Sequence, residues 1–317
     1  MTAVADGTNT TSNFVSDTIW IRLGCELTYR TAVSTPAHMI LRPRRSGTQR
    51  IQQEMLSFEP DLPSTEETDS HGNIVDRILL KPGVSTIRHD ALVAVSSYPE
   101  HNLTTEMASR VELLPLSLLR YTQPSRYCDS DRLMEFAFKN FGQCVPGAPT
   151  VRAICDWVHN NIEYRFGSGA TDLSASQVIQ RGYGVCRDFA HATSVLCRTF
   201  NIPSRYVTGH LPDVGAFDSG APMDFHAYTE VYLGNGWHAV DARFNVPRIG
   251  RVKIACGLDA VDGAFSTIYG PADLIGFYVW NYQVDPLTVS LGDPVDLSKR
   301  LDGTLFVRFQ TSEQAQR

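Results

Sequence analysis

Near residue 127 the hydrophobic pattern changes period, and the change divides the chain into two halves that cannot share one architecture. Before it, Ile19, Ile21, Leu23, Cys25, Leu27 and Tyr29 sit at alternate positions, and short apolar runs recur at 74–75, 78–80 and 91–95. Alternation of this kind marks half-buried strands. Residues 60–64 and the cluster Asp69-Ser70-His71-Gly72-Asn73 supply turn chemistry between the runs, and no segment here sustains a period of 3.6 residues. Residues 1–127 are therefore expected to form an all-β, sandwich-like domain. The boundary falls after 101–125, a stretch without clear period that holds Pro115 and Pro124.

Beyond that point helical periods appear. Helices are expected over 130–141 and 150–162, the second with Val151, Ile154, Cys155, Val158 and Ile162 on one face and Thr150 as its N-cap. A shorter helix is expected over 174–180. Another starts at about Cys186, with Phe189, Ala190, Thr193, Leu196, Cys197 and Phe200 as its inner stripe. Strands follow at 205–207, 225–232 and 237–241, and Leu233-Gly234-Asn235-Gly236 has the chemistry of a hairpin turn. Helices followed by an antiparallel sheet make residues 128–275 an α+β core. Residues 276–317 form a C-terminal extension, expected to add strands to that core and end in a tail.

Charge and composition narrow the function classes. Lys and Arg number 28 against 34 Asp and Glu, a net charge of −6 that offers no basic footprint for a phosphate backbone, so no nucleic-acid partner is expected. The start, MTAVADGTNTTSNF, has neither the basic nor the apolar region of a signal peptide, and no stretch nears the ~18 apolar residues of a membrane span. A soluble, cytoplasmic protein without a membrane partner is the expectation. The seven cysteines are odd in number, scattered, and never spaced C-x-x-C, which argues against a disulfide framework or a Cys-rich zinc site. Neither Gly182-x-Gly184 nor the isolated histidines has dinucleotide or zinc spacing, so no cofactor and no metal are expected.

One cysteine stands apart. Cys186 lies in Gly182-Tyr183-Gly184-Val185-Cys186-Arg187-Asp188 at the expected start of a helix, where free backbone N–H groups favour an anion. Arg187 would lower the thiol pKa further, and the two glycines would let the chain approach a substrate closely. From this segment alone, a nucleophile and a small apolar residue opening a buried helix both remain open. Forty residues downstream His226 opens a strand on which His226, Tyr228, Glu230 and Tyr232 share a face. A two-residue turn at Gly234-Asn235 or Asn235-Gly236 puts Asp241 on that face as a near or diagonal neighbour of His226 and sends His238 to the other face. A three-residue turn would reverse this. Cys186, His226 and Asp241 then read as nucleophile, base and orienter, an arrangement for acyl transfer at a carbonyl. His191, turned about 500° from Cys186 along the helix, and Asp188, in the first helical turn, are expected to be structural. Trp157 and Tyr164 are expected in the core or the groove wall.

At these residues the chain resembles the transglutaminase-like superfamily, which has a papain-like cysteine-protease fold, and in particular its bacterial transglutaminase-like cysteine peptidases. The resemblance runs through Cys155-Asp156-Trp157-Val158-His159-Asn160-Asn161-Ile162-Glu163-Tyr164, residues 184–191, residues 202–210, Phe225-His226-Ala227 and Trp237-His238-Ala239-Val240-Asp241. It continues through Asn245-Val246-Pro247-Arg248-Ile249-Gly250-Arg251 and Gly257-Leu258-Asp259-Ala260, while Leu41-Arg42-Pro43 and residues 69–73 resemble the β-rich domain that precedes the core in this subgroup. Nearly the whole chain is covered. The resemblance implies that Cys186 is the nucleophile, His226 the general base and then acid, and Asp241 the residue that orients it. The implied reaction is hydrolysis of an amide in a peptide or protein substrate through a thioester. The superfamily also holds amide-crosslinking enzymes, deglycosylating amidases and proteins that have lost activity. Transfer to an amine and a catalytically degenerate binding scaffold are therefore the alternatives, because similarity of fold does not choose the acyl acceptor.

Overall fold

The computed structural model describes residues 17–216 and 222–302. The segment MTAVADGTNTTSNF and the expected tail beyond residue 302 lie outside the described residues. Six strands come first: β1 (Thr18–Thr31), β2 (Thr35–Met39), β3 (Gln49–Glu59), β4 (Ser64–Thr68), β5 (Ile74–Leu80) and β6 (Gly83–Ser96). The second half contributes α1 (Leu116–Leu119), α2 (Met134–Phe141), α3 (Ala148–Asn161), β7 (Glu163–Tyr164), α4 (Ala175–Arg181), β8 (Tyr183–Gly184) and α5 (Cys186–Thr199). It continues with β9 (Ser204–His210), β10 (His226–Leu233), β11 (Gly236–Val240), β12 (Val252–Gly257), β13 (Ser266–Ile268) and β14 (Asp273–Val284). Among the described residues no helix is long and apolar enough to cross a membrane.

The alternating residues of β1 are all buried, as a strand packed on one face requires. Two four-stranded sheets, ordered β14-β1-β6-β3 and β13-β2-β5-β4, enclose Cys25, Leu27, Tyr29, Met39, Ile78 and Leu80 between them. Two of these strands come from the far end of the chain: Thr267 of β13 pairs with His38, and Val279 of β14 pairs with Cys25. The segment after residue 275, expected beside the α+β core, thus completes the first sheet instead. The reason is burial. Trp280, Tyr282 and Val284 are almost wholly enclosed, and β1, at 14 residues, is long enough to pair along the 12 residues of β14. Trp280 crosses β1 at Gly24, where a Cβ would lie 2.1 Å from the His89 carbonyl oxygen and 2.5 Å from the indole ring. Gly24→Ala is therefore expected to cost about 1–3 kcal/mol through overpacking, measured as a loss of unfolding free energy in urea; an unchanged midpoint would show that the Trp280 contact is loose.

In the second half α5 is the central element. Every residue from Asp188 to Thr199 is buried, because α3 packs on one side of α5 while β9 and β10 pack on another. The single inner stripe expected of it is thus only part of its buried surface. Val151, Ile154 and Val158 of α3 meet Phe189, Val195 and Leu196 of α5 and Val231 of β10 in one core. Thr150 is not the N-cap of α3. The helix starts at Ala148 after Gly147, with Pro149 in its first turn, where a missing N–H costs nothing, and Thr150 donates its hydroxyl to the Val145 carbonyl at 2.8 Å. The third sheet is ordered β11-β10-β9-β12. Its β12 is tied to the first half by the turn at 69–73: Asn73, fully buried, both accepts from the Cys256 amide and donates to the Cys256 carbonyl at 2.8 Å.

Candidate active site

Cys186 is the first residue of α5, and the segment that delivers it is fixed by internal bonds. β8 pairs in parallel with β7, setting Gly184 beside Tyr164. Gly182, at φ +75°, ends α4 in a left-handed turn that a side chain would resist. Gly184 lacks a Cβ because one there would come 2.5 Å from an Asp188 oxygen. These glycines therefore serve the chain's own packing, not the approach of a substrate. Asp188 accepts from the Val185 amide at 3.0 Å and pairs with Arg181 and Arg187 at 3.4 Å, so it caps the helix as its position suggests. Arg187 is also held by the Ala170 carbonyl. Its charge is engaged there, and the cation that acts on the thiol is Arg243.

His226 begins β10, and the turn to β11 is the two-residue Gly234-Asn235, since Leu233 opposes Gly236 and Thr229 opposes Val240. This register makes His226 and Asp241 diagonal neighbours on one face. Their side chains meet: His226 Nε2 and Asp241 Oδ2 are 2.7 Å apart, and both residues are buried. The other ring nitrogen is left free of Asp241, and His226 and Cys186 line the same groove, where each acts on the other's ionisation. His238 lies on the opposite face and donates through Nε2 to the Leu233 carbonyl at 3.1 Å. All three residues singled out in the sequence are thus brought together, and the second histidine of the hairpin is not.

The thiol is set for ionisation. Burial opposes a thiolate at Cys186, yet the hydrogen bond and charge of His226, the Ala227 amide and Arg243 outweigh it and hold the pKa below the ordinary value. The contrast with other cysteines is clear: burial pushes Cys25 and Cys197 up to about 12 and Cys128 to about 11. At His226 burial disfavours the imidazolium, but Asp241 and Cys186 together raise its pKa. Asp241 is likewise desolvated, and His226 followed by Arg251 keeps its carboxyl well below the usual range.

Arg251, not singled out by its pattern, proves central. Its guanidinium donates to Asp241 Oδ2 at 3.1 Å and to Glu100 at 2.5 and 3.3 Å, and it lies 4.1 Å over the Tyr228 ring. Glu100 follows β6, so the first half of the chain supports the orienting carboxylate through one arginine. Sequence periodicity cannot find such a bridge, because its three members come from separate segments. The only available sign was that Arg251 closes one of the stretches shared with the superfamily.

Cys186 and His226 open onto a groove of about 460 Å³ whose walls include Tyr164, Phe166, Phe244 and Met223. Arg243 covers the Tyr164 ring at 3.7 Å. Asn281, from β14, also lines the groove, which brings the first sheet to its rim. Tyr164 is thus groove wall, while Trp157 packs edge-on against Phe136 in the core. His191 is structural: its ring stacks on Tyr127, Nε2 accepts from the Ala260 amide at 3.1 Å, and burial pushes its pKa far down. Among the described residues no group of three His, Cys, Asp or Glu side chains is arranged to hold a metal ion.

Comparison with known proteins agrees with this architecture. Residues 145–242 match the family model of the transglutaminase-like superfamily. A candidate cysteine protease from Cytophaga hutchinsonii, known from its crystal structure, is 32% identical with a TM-score of 0.78, covering 85% of this chain and 92% of that one. The chain belongs to the transglutaminase-like superfamily. The family match spans α3 to the residue after Asp241 and so encloses Cys186 and His226. The periplasmic domain of TgpA from Pseudomonas aeruginosa, in its ethylmercury-bound structure, is 16% identical with a TM-score of 0.37, covering 71% of this chain and 90% of that one. An uncharacterized protein of Mycobacterium leprae is 24% identical over 186 residues, or 58% of this chain, and the chain spans 61% of that relative's length.

Proposed function

We propose that this protein is a cysteine-dependent amide or peptide hydrolase acting on a peptide or protein substrate. The observation that carries the proposal is the His226 ring, bonded to Asp241 at 2.7 Å and set in one groove with the Cys186 thiol at the start of α5. In the first step Sγ attacks the substrate carbonyl carbon. The oxyanion that forms is met by the Cys186 amide, which has no intrahelical partner at the first position of a helix. The C–N bond then breaks, and His226 gives its proton to the departing amine. In the second step water attacks the thioester, His226 takes its proton, and the acid and the thiol are released. Asp241 holds the ring in the tautomer that both steps require.

Water is the proposed acceptor. Cys186 is partly exposed on an open groove, and exclusion of water, which transfer to an amine would demand, is not provided by a cover among the described residues. The experiment labels the protein with a thiol-reactive amide probe and follows glutamine-containing and other peptides by mass, with and without millimolar primary amine. Labelling and hydrolysis are expected in the wild type and neither in Cys186→Ala, which should remain folded. Predominant amine adducts at low amine concentration would overturn hydrolysis in favour of transfer. Absence of labelling at any pH would overturn the enzyme and leave a scaffold.

A further inference from the structure

On the far side of the third sheet from α5, a cleft of about 450 Å³ lies between the two halves of the chain. Its walls carry four cationic side chains, Arg205, Arg248, Arg251 and Lys253, against two carboxylates, Glu100 and Glu230. Glu230 pairs with both Arg205 and Lys253, and Glu100 pairs with Arg251. Behind the walls Asp213 faces Arg248 at 3.8 Å and Asp241 faces Arg251 at 3.1 Å. The donors still outnumber the acceptors. Arg251 Nη1 and Arg248 Nε are buried with no partner among the described residues, and both side chains are only 5% exposed. Tyr228, 3% exposed, lines the same cleft under the Arg251 guanidinium. Buried donors left unpaired are uncommon enough to require a cause. Burial also lowers the pKa of Lys253 and of Arg248 despite their acidic neighbours, so these cations are poorly solvated where they stand.

We propose that this cleft binds a small tetrahedral oxyanion, phosphate or sulfate, and that its occupancy is felt by Cys186 and His226 through Arg251. Lys253, Arg205 and the Tyr228 hydroxyl supply the mouth of the site, and the spare N–H groups of Arg248 and Arg251 its floor. Charge-assisted hydrogen bonds to a fork of donors suit such an ion. The link to the thiol follows from the bonds already present: Arg251 touches Asp241, and Asp241 touches His226. A negative charge added there favours bound protons on both His226 and Cys186, so each pKa moves up. The proposal stands whatever the acyl acceptor, since it needs only a reactive thiol.

The test adds inorganic phosphate to the full chain at constant ionic strength and reads binding by titration calorimetry. Saturable binding is expected, with sulfate competing and chloride not. Lys253→Met should weaken it by about tenfold or more and Tyr228→Phe by about three- to tenfold. In parallel, the pH profile of Cys186 alkylation should move to higher pH by about half a unit at saturating phosphate. A phosphoserine peptide, run in the same assay, tells a free ion from a phosphorylated chain, and tighter binding of the peptide would support the site with that carrier. Phosphate behaving as chloride does, or both variants binding as the wild type does, would overturn the site. Binding that leaves the alkylation profile unmoved would overturn its link to the thiol.

Discussion

Replacing His226 by alanine is expected to lower kcat/KM on an amide substrate by ~10²- to 10⁴-fold, the range for a positioned acid-base group, while His238→Ala changes it less than about threefold. The two histidines stand on opposite faces of one hairpin, and only His226 reaches Asp241 and lines the groove with Cys186. A reversed ranking would mean that the register of the hairpin does not carry the chemistry. The same pair of residues sets the pH dependence. Because the Cys186 pKa is lowered and that of His226 raised, both shifts favour a thiolate–imidazolium pair over the neutral pair. Alkylation of Cys186 should thus stay fast near pH ~6, well below the ~8.5 of a free thiol, while Cys197 and Cys155 react only after denaturation. In His226→Ala the thiol loses its partner, and the rise of alkylation should move toward or above ~8.5. The stability effect has a definite sign. A histidine whose folded pKa is raised contributes stability that is complete below its unfolded value of ~6.5 and is lost as pH rises through the folded value. Removing His226 should therefore destabilise the protein most below pH ~6.5, measured by urea unfolding at several pH values. Equal loss at all pH values would show that the ring acts by packing alone.

How much of this was legible in the sequence depends on how local each determinant is. Cys186 could be placed because a helix start is marked within a few residues. His226 and Asp241 could be paired because the Gly234-Asn235 turn fixes strand parity across a short hairpin. β14 could not be placed, since its pairing with β1 joins opposite ends of the chain, and nothing in either strand names its partner. The roles of Gly182 and Gly184 were misjudged for a related reason. Flexibility is visible in sequence, but whether the space beside a glycine belongs to a substrate or to Asp188 depends on the fold. Arg187 was credited with a charge effect on the thiol because it is adjacent in sequence. Asp188 and the Ala170 carbonyl hold it, and Arg243 acts in its place. Arg251 and Glu100 escaped altogether, since an arginine bridging two carboxylates from separate segments leaves no period.

That bridge yields the second large effect. Arg251→Met is expected to destabilise the protein by about 3–5 kcal/mol, the cost of breaking a buried ion pair from one side. The side chain of Arg251 is only 5% exposed, and its loss leaves Asp241 and Glu100 without their shared cation. The pH sign can be worked out. Asp241 has a depressed pKa in the folded protein, so its pairing contributes stability above the unfolded carboxylate value of ~4, and this is lost as pH falls through the folded value. The destabilisation by Arg251→Met should hence be full at pH ~7 and shrink in acid as the carboxylates are protonated. Activity should respond differently. Without the guanidinium, Asp241 keeps its bond to His226, and the lost positive charge favours the imidazolium further. The upper limb of the alkylation profile should then move to higher pH, while turnover falls because Oδ2, the oxygen that meets His226, is no longer also held by the guanidinium. Arg251→Lys separates charge from geometry: it should restore the position of the upper limb but not the full stability, since an ammonium cannot span Asp241 and Glu100 as a guanidinium fork does. If Arg251→Met left both stability and the alkylation profile unchanged, Asp241 would be held by His226 and the hairpin alone, and the first half of the chain would have no part in aligning the thiol's partner.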